Sequence, residues 1–177
     1  MHSMKSLDNI PGANALGKAA TAAPLGKANF ALRGLVGGFA AICLLGLAGM
    51  GIHQTVLIAP FGASCVLLFA APESPFAQPR NLVCGHLLTA SVGLAMLWLF
   101  GNSIWSIGLA VGLVIALMEL TRTVHPPAGA NPIVIMLAGK MKLIFLLTPV
   151  LLGVAILLVL ALRVKNLSGR RWPLRWW

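Results

Sequence analysis

Apolar segments follow one another along most of the chain, separated by short polar gaps. Four of these runs are long and continuous, covering about Arg33 to Ile52, Asn81 to Phe100, Ile104 to Leu120 and Leu143 to Leu162. A helix that crosses a bilayer needs about 20 apolar residues. The pattern therefore predicts an all-α membrane protein with four full transmembrane helices.

Two further apolar segments are broken or short. One lies between His53 and Ala71 and is interrupted at Pro60, and the other begins near His125 and ends at Ala138. A proline does not continue a preceding helix but suits the first turn of a new one. Each break therefore predicts an extended segment that turns into a short helix. We expect Ser64 and Asn131 at helix starts, where they cap the helix or face a ligand.

The two breaks resemble each other in sequence. Pro60-Phe61-Gly62-Ala63-Ser64 aligns with Pro127-Ala128-Gly129-Ala130-Asn131, which follows 67 residues later. A long apolar helix precedes and follows each motif, which predicts an internal 3+3 repeat with halves at about 33–100 and 101–165. If the broken helices cross the membrane, the second half is inverted; if they re-enter, the halves are parallel. Both arrangements place the termini on one side.

The composition supports a membrane protein and locates its ends. Hydrophobic residues make up 59% of the chain and charged residues only 9%, whereas soluble domains are about one quarter charged. The net charge of +10 resides mainly at the two ends and in the gaps, which indicates membrane topology rather than nucleic-acid binding. We expect both termini in the cytoplasm of a bacterial inner membrane. Residues 1–29 are predicted to be a disordered basic tail, 30–165 the transmembrane domain, and 166–177 a Trp-rich interfacial tail.

The breaks are the candidate binding site. Non-helical backbone at membrane depth is tolerated only where it is buried in protein or lines a cavity. The N-termini of two half-helices offer free N–H groups and partial positive charge, which suit a small anion. Breaks are equally compatible with a purely architectural role. The predicted donors are the backbone and side chains of Gly62, Ala63, Ser64, Gly129, Ala130 and Asn131.

Ionisable residues near the breaks extend this candidate site. His86 and His125 would supply positive charge when protonated, and would couple anion movement to a proton because histidine titrates near physiological pH. The candidate gating or anion-attracting residues are Arg80, Asn81, Arg122 and Glu119. Simpler roles are open for several of them: Glu119 and Arg122 have helical spacing and would pair, Arg80 suits a helix end, and His86 suits a packed histidine.

Neither a metal centre nor an enzyme is predicted. The odd number of cysteines argues against a disulfide framework, and Cys84 and His86 are the one close pair of soft ligands. We therefore expect no metal and no cofactor. Ser64 with His125 or His86 is a conceivable nucleophile and base, but no nucleophile elbow surrounds it.

Three motifs in order resemble the HPP family of integral membrane proteins. They are Ala59-Pro60-Phe61-Gly62-Ala63-Ser64, Ser74-Pro75-Phe76-Ala77-Gln78-Pro79-Arg80-Asn81 with the following Gly85-His86, and His125-Pro126-Pro127-Ala128-Gly129-Ala130-Asn131-Pro132. The resemblance covers about Arg33 to Leu162. Relatives in plastids and cyanobacteria are implicated in nitrite transport, so the resemblance implies a small-anion transporter.

The two breaks predict a small-anion transporter in the lipid bilayer, either a channel-like uniporter or a proton-coupled carrier, and the HPP resemblance implies nitrite or nitrate as its substrate. Gly34 and Gly38 have the spacing of small residues at helix contacts, so a homodimer is expected, although these glycines would equally pack within one chain. Two other classes stay open. One is a membrane scaffold whose breaks only shape helix packing, and the other is a cation or metal carrier.

Overall fold

A computed structural model describes residues 24–167 and 172–176, and within this part every regular element is helical. The α-helices are α1 (Pro24–Gly51), α2 (Ala59–Cys65), α3 (Pro79–Phe100), α4 (Ile104–Thr121), α5 (Asn131–Ala138) and α6 (Leu152–Leu167). Short helical turns connect them. 3₁₀ turns cover Pro75–Ala77, Pro126–Ala130 and Leu143–Leu146, and π-helical turns cover Val66–Ala70 and Leu147–Leu151.

Four helical stretches of the described chain are long and apolar enough to cross a membrane. They are Asn29–Gly51, Pro79–Phe100, Ile104–Thr121 and Leu146–Lys165. These stretches match the four predicted spans, and the segments that contain α2 and α5 are the two shorter apolar helices. The prediction of an all-α membrane protein with four spans and two short helices is confirmed.

The first and last spans differ in detail from the sequence prediction. Helix α1 begins at Pro24, so residues 24–29 belong to a helix rather than to a disordered tail; residues 1–23 lie outside the described part. The last span is not one continuous helix from Leu143 to Leu162. Thr148 is extended (φ −135°, ψ 115°) within the turn that precedes α6. Pro149 follows it and lacks the N–H of a helical hydrogen bond, so regular helix begins only at Leu152.

The hairpin between α3 and α4 follows directly from local sequence. Gly101 ends α3 with a φ of +66°, a conformation that glycine adopts at little cost. Ser103 then begins α4, and its hydroxyl accepts a hydrogen bond from the Ser106 N–H at 3.1 Å. The Ser106 hydroxyl in turn accepts from the Ser103 N–H at 3.0 Å, which completes a reciprocal cap. The two long helices therefore lie antiparallel with a three-residue connection.

The second broken segment runs alongside α3 from one end to the other. Near the start of α3, the Asn81 side chain donates to the Val124 carbonyl at 2.7 Å. Near its end, the Trp98 indole lies 3.4 Å from the Met141 carbonyl. The helical rise between these two positions of α3 is about 25 Å. The segment therefore traverses most of the thickness of the protein.

The first broken segment packs against α1 and runs antiparallel to it. Gly49 of α1 packs on Gln54 and Val56, whereas Gly37, three turns earlier, packs on the Phe69 ring. The segment thus proceeds from the end of α1 back toward its start. These contacts indicate that the broken segments cross the bundle rather than re-enter on the same side.

Helix α3 is the centre of the bundle because glycines on one face admit the second broken segment. A Cβ added at Gly85 would lie 2.8 Å from the Cβ of His125, and one at Gly93 would lie 2.9 Å from the Cα of Pro132. Real Cβ atoms do not approach this closely, so each position requires glycine. The outer helices instead expose large apolar side chains such as Phe39, Trp105 and Leu120, as lipid-facing surfaces do.

Gly93→Leu is therefore expected to destabilise the protein. The added side chain would meet the backbone of Pro132, and overpacking of this kind typically costs about 1–3 kcal/mol. The thermal unfolding midpoint of purified protein in detergent measures the effect. Gly112→Leu is the matched control, because a Cβ at Gly112 on α4 meets nothing within 4 Å. Equal midpoints for the two variants would contradict the packing described for α3.

Candidate functional site

Four polar side chains meet where the two broken segments face α3. Ser64 lies on α2, His86 on α3, His125 just before the 3₁₀ turn, and Asn131 at the first position of α5. All four have an exposed fraction of 0%. The sequence named each of these residues as a candidate, and the structure brings all four together.

Hydrogen-bond distances join the four side chains into one network. The Ser64 Oγ lies 3.0 Å from His86 Nε2 and 2.9 Å from His125 Nε2. The Asn131 Nδ2 lies 3.1 Å from His86 Nδ1. Ser64 therefore bridges the two imidazoles, and Asn131 holds the far side of His86.

Packing of the first break aims Ser64 at the histidines. Phe61, one turn before the serine, places its ring edge-on to His86 with 5.2 Å between ring centroids. Gly153 makes room for Phe61, since a Cβ there would overlap that ring. The Ser64 hydroxyl also lies 3.2 Å from the Pro60 carbonyl. The proline–phenylalanine pair of the motif thus fixes where the serine points.

The partners of His125 define its tautomer. Its Nδ1 lies 2.8 Å from the carbonyl oxygen of Phe76. A carbonyl only accepts hydrogen bonds, so Nδ1 carries the hydrogen. In the neutral ring Nε2 is then an acceptor, and the Ser64 hydroxyl donates to it.

The partners of His86 define the opposite tautomer. The Asn131 nitrogen faces three acceptors: His86 Nδ1, the His86 carbonyl at 3.2 Å, and the Thr89 hydroxyl at 2.9 Å. The Thr89 hydroxyl donates its own hydrogen to the Gly85 carbonyl at 2.8 Å. His86 Nδ1 therefore accepts, and its Nε2–H donates to Ser64. One directed chain of hydrogen bonds runs from Asn131 through both histidines to Phe76.

The network has one unpaired atom. Asn131 Oδ1 is buried and has no hydrogen-bond partner. An unsatisfied buried polar atom costs about 1–3 kcal/mol. Helix packing alone does not explain why this unpaired oxygen is retained, whereas binding sites often contain buried polar atoms without a partner.

The glycines and alanines of the two motifs lie away from this network. Gly62 and Ala63 are exposed and Gly129 and Ala130 half-buried, and Ala63 and Ala130 line an apolar groove of about 440 Å³. Gly62 and Ala63 lie beyond the first turn of α2, where N–H groups bond to carbonyls four residues earlier. Site geometry therefore favours side chains over backbone N–H groups as donors, while a role for these four residues stays a prediction.

Asn131 begins a helix as expected, but helix capping, one of the two roles expected for Ser64 and Asn131, is not observed. Ser64 is the sixth residue of α2, and Asn131 makes no side-chain cap at the start of α5. Proline already occupies the first turn of each helix, so neither side chain is needed there, and both turn inward.

The predicted anion-attracting residues cluster at one end of the bundle. Arg80 and Asn81 begin α3, and Arg122 ends α4 in a left-handed conformation with its N–H on the Glu119 carbonyl. The Arg80 guanidinium donates to the Thr121 carbonyl at 2.9 Å. Glu119 is exposed and lies outside the pocket here, which measures about 350 Å³. Its lining residues are Pro75, Gln78, Arg80, Asn81, Arg122, Arg175 and Trp176.

A second basic pocket lies at the other end. Lys140 and Lys142 line a cavity of about 560 Å³, where Thr55 and Thr148 are the other polar residues and the rest of the lining is apolar. Met141 also lines this pocket, and its carbonyl contacts Trp98 near the end of α3. The pocket therefore lies at that end of the bundle. Only tertiary contacts place these lysines beside Thr55, which lies about 85 positions earlier in the chain.

Several site residues were missed by sequence reasoning. Thr89 lies one turn after His86, a spacing that marks it as a neighbour on the same helix face. The Phe76 carbonyl, Gln78 and the C-terminal Arg175 carried no such signal, because backbone acceptors and contacts across the fold are invisible in a single sequence. Within the part of the chain that the structure describes, no group of three or more His, Cys, Asp or Glu side chains could hold a metal ion.

Apolar spans around a buried polar network define an integral membrane protein with a candidate polar site between broken helices. The family model "HPP, transmembrane region" matches residues 23–173. The chain therefore belongs to the HPP family, as the three motifs indicated.

Two relatives in Dictyostelium discoideum, each named as a transmembrane protein, are similar to this chain. One is 40% identical over 133 residues, which is 71% of this chain and 47% of the relative. The other is 37% identical over 129 residues, 68% of this chain and 42% of the relative. The chain thus spans about half the length of these relatives. No solved structure matches it.

The hydrogen-bond chain predicts opposite tautomers for the two buried histidines. Nitrogen-15 NMR of imidazole-labelled protein in bilayers is expected to show His125 protonated at Nδ1 and His86 at Nε2, because their partners require it. Ser64→Ala should shift the Nε2 signals of both rings and leave the exposed His53 unchanged. Identical tautomers for His86 and His125 would refute the directed chain.

Proposed function

We propose that this protein transports a small inorganic anion, nitrite or nitrate, across a membrane. The observation that carries the proposal is the arrangement of basic pockets at both ends of the bundle with a buried network of uncharged polar side chains between them. Membership of the HPP family agrees with a transporter-like role. Nitrite and nitrate are the anions that the family resemblance implies.

The charge distribution favours an anion at both entrances to a path through the bundle. Arg80, Arg122 and Arg175 line one pocket, and Lys140 and Lys142 line the other. Glu73 and Glu119, the acids among the described residues, are both exposed. Basic mouths raise the local concentration of anions and repel cations. A cation or metal carrier would need the opposite arrangement.

The buried network lies between the arginine-lined and the lysine-lined pocket, and only a short stretch of helix separates it from each. His86 lies six residues after Arg80 on α3, a rise of about 9 Å. Ser64 lies five residues after Ala59, which lines the lysine pocket, a rise of about 7 Å. An anion therefore has polar groups on its route at intervals short enough for stepwise passage.

Opening of the hydrogen bonds around Ser64 would make donors available to the anion. Its hydroxyl, the His86 Nε2–H and the Asn131 amide are now used within the network. When an anion enters, these three donors turn to it and replace water in its hydration shell. Uncharged donors suit a monovalent anion that must leave again, because a fixed charge at membrane depth would hold it too tightly.

The same hydroxyl gives the network a way to accept a proton. If His125 gains a hydrogen at Nε2, the Ser64 oxygen accepts from both imidazoles and its own hydrogen turns to the Pro60 carbonyl, 3.2 Å away. No donor is then left unpaired. Proton-coupled transport is therefore compatible with this geometry, and we include it in the proposal.

The membrane orientation and assembly are further parts of the proposal. We place the arginine pocket and both termini on the cytoplasmic side of a bacterial inner membrane, following the bias of basic residues. The opposite running directions of the two broken segments support an inverted 3+3 repeat. A homodimer through α1 is supported by Gly34 and Gly38, where an added Cβ meets no atom of the described residues within 4 Å, so these glycines leave room for a second chain.

One observation favours a second candidate, an intramembrane hydrolase. Ser64 Oγ lies 2.9 Å from His125 Nε2, and the Phe76 carbonyl orients the same ring at Nδ1, which is the pattern of an activated serine. However, Ser64 also accepts a hydrogen bond from His86, which lowers its nucleophilicity. A hydrolase substrate is larger than nitrite or nitrate and would need a wider opening at Ser64, whose exposed fraction is 0%. We therefore rank this candidate below transport.

Anion flux into proteoliposomes tests the transport proposal. Wild-type protein is expected to give saturable nitrite or nitrate uptake, and Ser64→Ala and Asn131→Ala should each reduce it at least about tenfold, since each loses donors worth about 1.5–3 kcal/mol to a charged group. Ser91→Ala is the matched control, because Ser91 is exposed on α3 and bonds only to the Leu87 carbonyl.

Elution profiles and thermal midpoints of the variants establish that the proteins remain folded. An imposed pH gradient at fixed membrane potential reports whether uptake is proton-coupled. Wild-type protein that is folded and inserted but gives no anion flux above empty liposomes would favour a scaffold whose breaks serve only packing. Normal transport by Asn131→Ala would instead exclude Asn131 from the anion path.

Labelling with a fluorophosphonate probe separates transport from hydrolysis. The probe reacts with activated serines, and we expect no labelling of Ser64 in folded protein because the side chain is buried and hydrogen-bonded on both sides. A serine hydrolase of known activity in the same detergent controls for probe reactivity. Labelling that disappears in Ser64→Ala would support the hydrolase instead.

A further inference from the structure

Three guanidinium groups from three separate elements line the pocket at the start of α3. Arg80 comes from α3 itself, Arg122 from the end of α4, and Arg175 from the C-terminal segment 172–176. We call this space the arginine pocket. The third arginine is supplied by a segment that contributes to no membrane span.

Specific contacts hold the C-terminal segment in place. The Leu174 N–H donates to Gln78 Oε1 at 3.0 Å. The Gln78 nitrogen donates to the carbonyls of Pro72 and Ser74 at 3.1 and 2.9 Å, which fixes the orientation of the amide. Trp172 is only 4% exposed. The segment is therefore docked on the bundle, and Arg175 has a defined place above α3.

The charge of the arginine pocket is not balanced by its own lining. The described residues that line it include no carboxylate. Arg80 uses one N–H on the Thr121 carbonyl, and a guanidinium has five. Three like charges around one cavity repel one another, and an anion between them converts that repulsion into attraction.

The size of the pocket indicates a ligand larger than the transported ion. A volume of about 350 Å³ lies within the range of about 300–1,000 Å³ found for organic ligands. Nitrite or nitrate would fill little of it. Guanidinium groups bind phosphate oxygens in pairs with good geometry, and three of them match a phosphate group and its neighbouring polar atoms.

We propose that the arginine pocket is a binding site for a phosphate group. The phosphate belongs either to a soluble phosphate compound or to the headgroup of an anionic lipid, and both present the same oxygens to the arginines. Tryptophan is enriched at the level of lipid headgroups, and Trp176 lines this pocket. Binding here does not depend on which ion the protein transports, although an occupant would cover the mouth that Arg80 and Arg122 form.

Thermal unfolding of the purified full-length protein tests this site. One series adds inorganic phosphate at constant ionic strength set with chloride, and a second uses neutral micelles doped with phosphatidylglycerol or, as control, phosphatidylcholine. Arg175→Ala removes one guanidinium, and Arg163→Ala is the matched control because Arg163 is exposed and lies outside the pocket. Both side chains are exposed, so neither substitution is expected to prevent folding.

At least one phosphate source is expected to raise the unfolding midpoint of the wild-type protein and of Arg163→Ala. Arg175→Ala should need about tenfold more of it for the same shift, since a charge-assisted contact is lost. A response to inorganic phosphate identifies a soluble ligand, and a response to phosphatidylglycerol alone identifies a headgroup. Absence of stabilisation by either source, or equal responses of Arg175→Ala and Arg163→Ala, would overturn the proposal whether or not anion flux is observed.

Discussion

The hydroxyl of Ser64 joins the Nε2 atoms of two buried imidazoles, and each of these atoms would otherwise have no partner. His86 and His125 are fully buried in an apolar bundle, where an unpaired ring nitrogen would cost more than packing returns. One hydroxyl supplies a hydrogen-bond partner to both rings, because it accepts from His86 and donates to His125. This arrangement requires that α2, α3 and the second break meet at one point. The positions of the helices and the tautomers of the histidines therefore depend on each other.

The prolines and glycines of the chain make that meeting possible. Proline in each short helix stops the preceding backbone from continuing as helix and turns the next residues inward. Gly85 and Gly93 then allow the second broken segment to lie against α3 at backbone distance. Non-helical backbone at membrane depth is stable only where protein covers it. The breaks are thus buried by the same close contacts that bring their polar side chains to the network.

Positive charge is confined to the ends of the bundle, and uncharged donors occupy its centre. This division follows from solvation, since arginine and lysine keep their charge in water or among headgroups, whereas serine, asparagine and neutral histidine are tolerated inside when they are hydrogen-bonded. The proposed transport and the proposed phosphate site depend on different regions of the protein. The first depends on the central network, and the second depends on a docked C-terminal segment that brings Arg175 beside Arg80 and Arg122.

Local sequence determined the helical class, the four spans and the positions of both breaks, because hydrophobic run length and proline act over a few residues. It also named Ser64, His86, His125 and Asn131, since polar residues in apolar segments are conspicuous. Only the tertiary structure decided that these four share one network, that Ser64 faces inward rather than capping a helix, and that Arg175 joins Arg80 and Arg122. Those outcomes depend on contacts between residues 22 to 96 positions apart, and a single sequence carries no local signal of such distances.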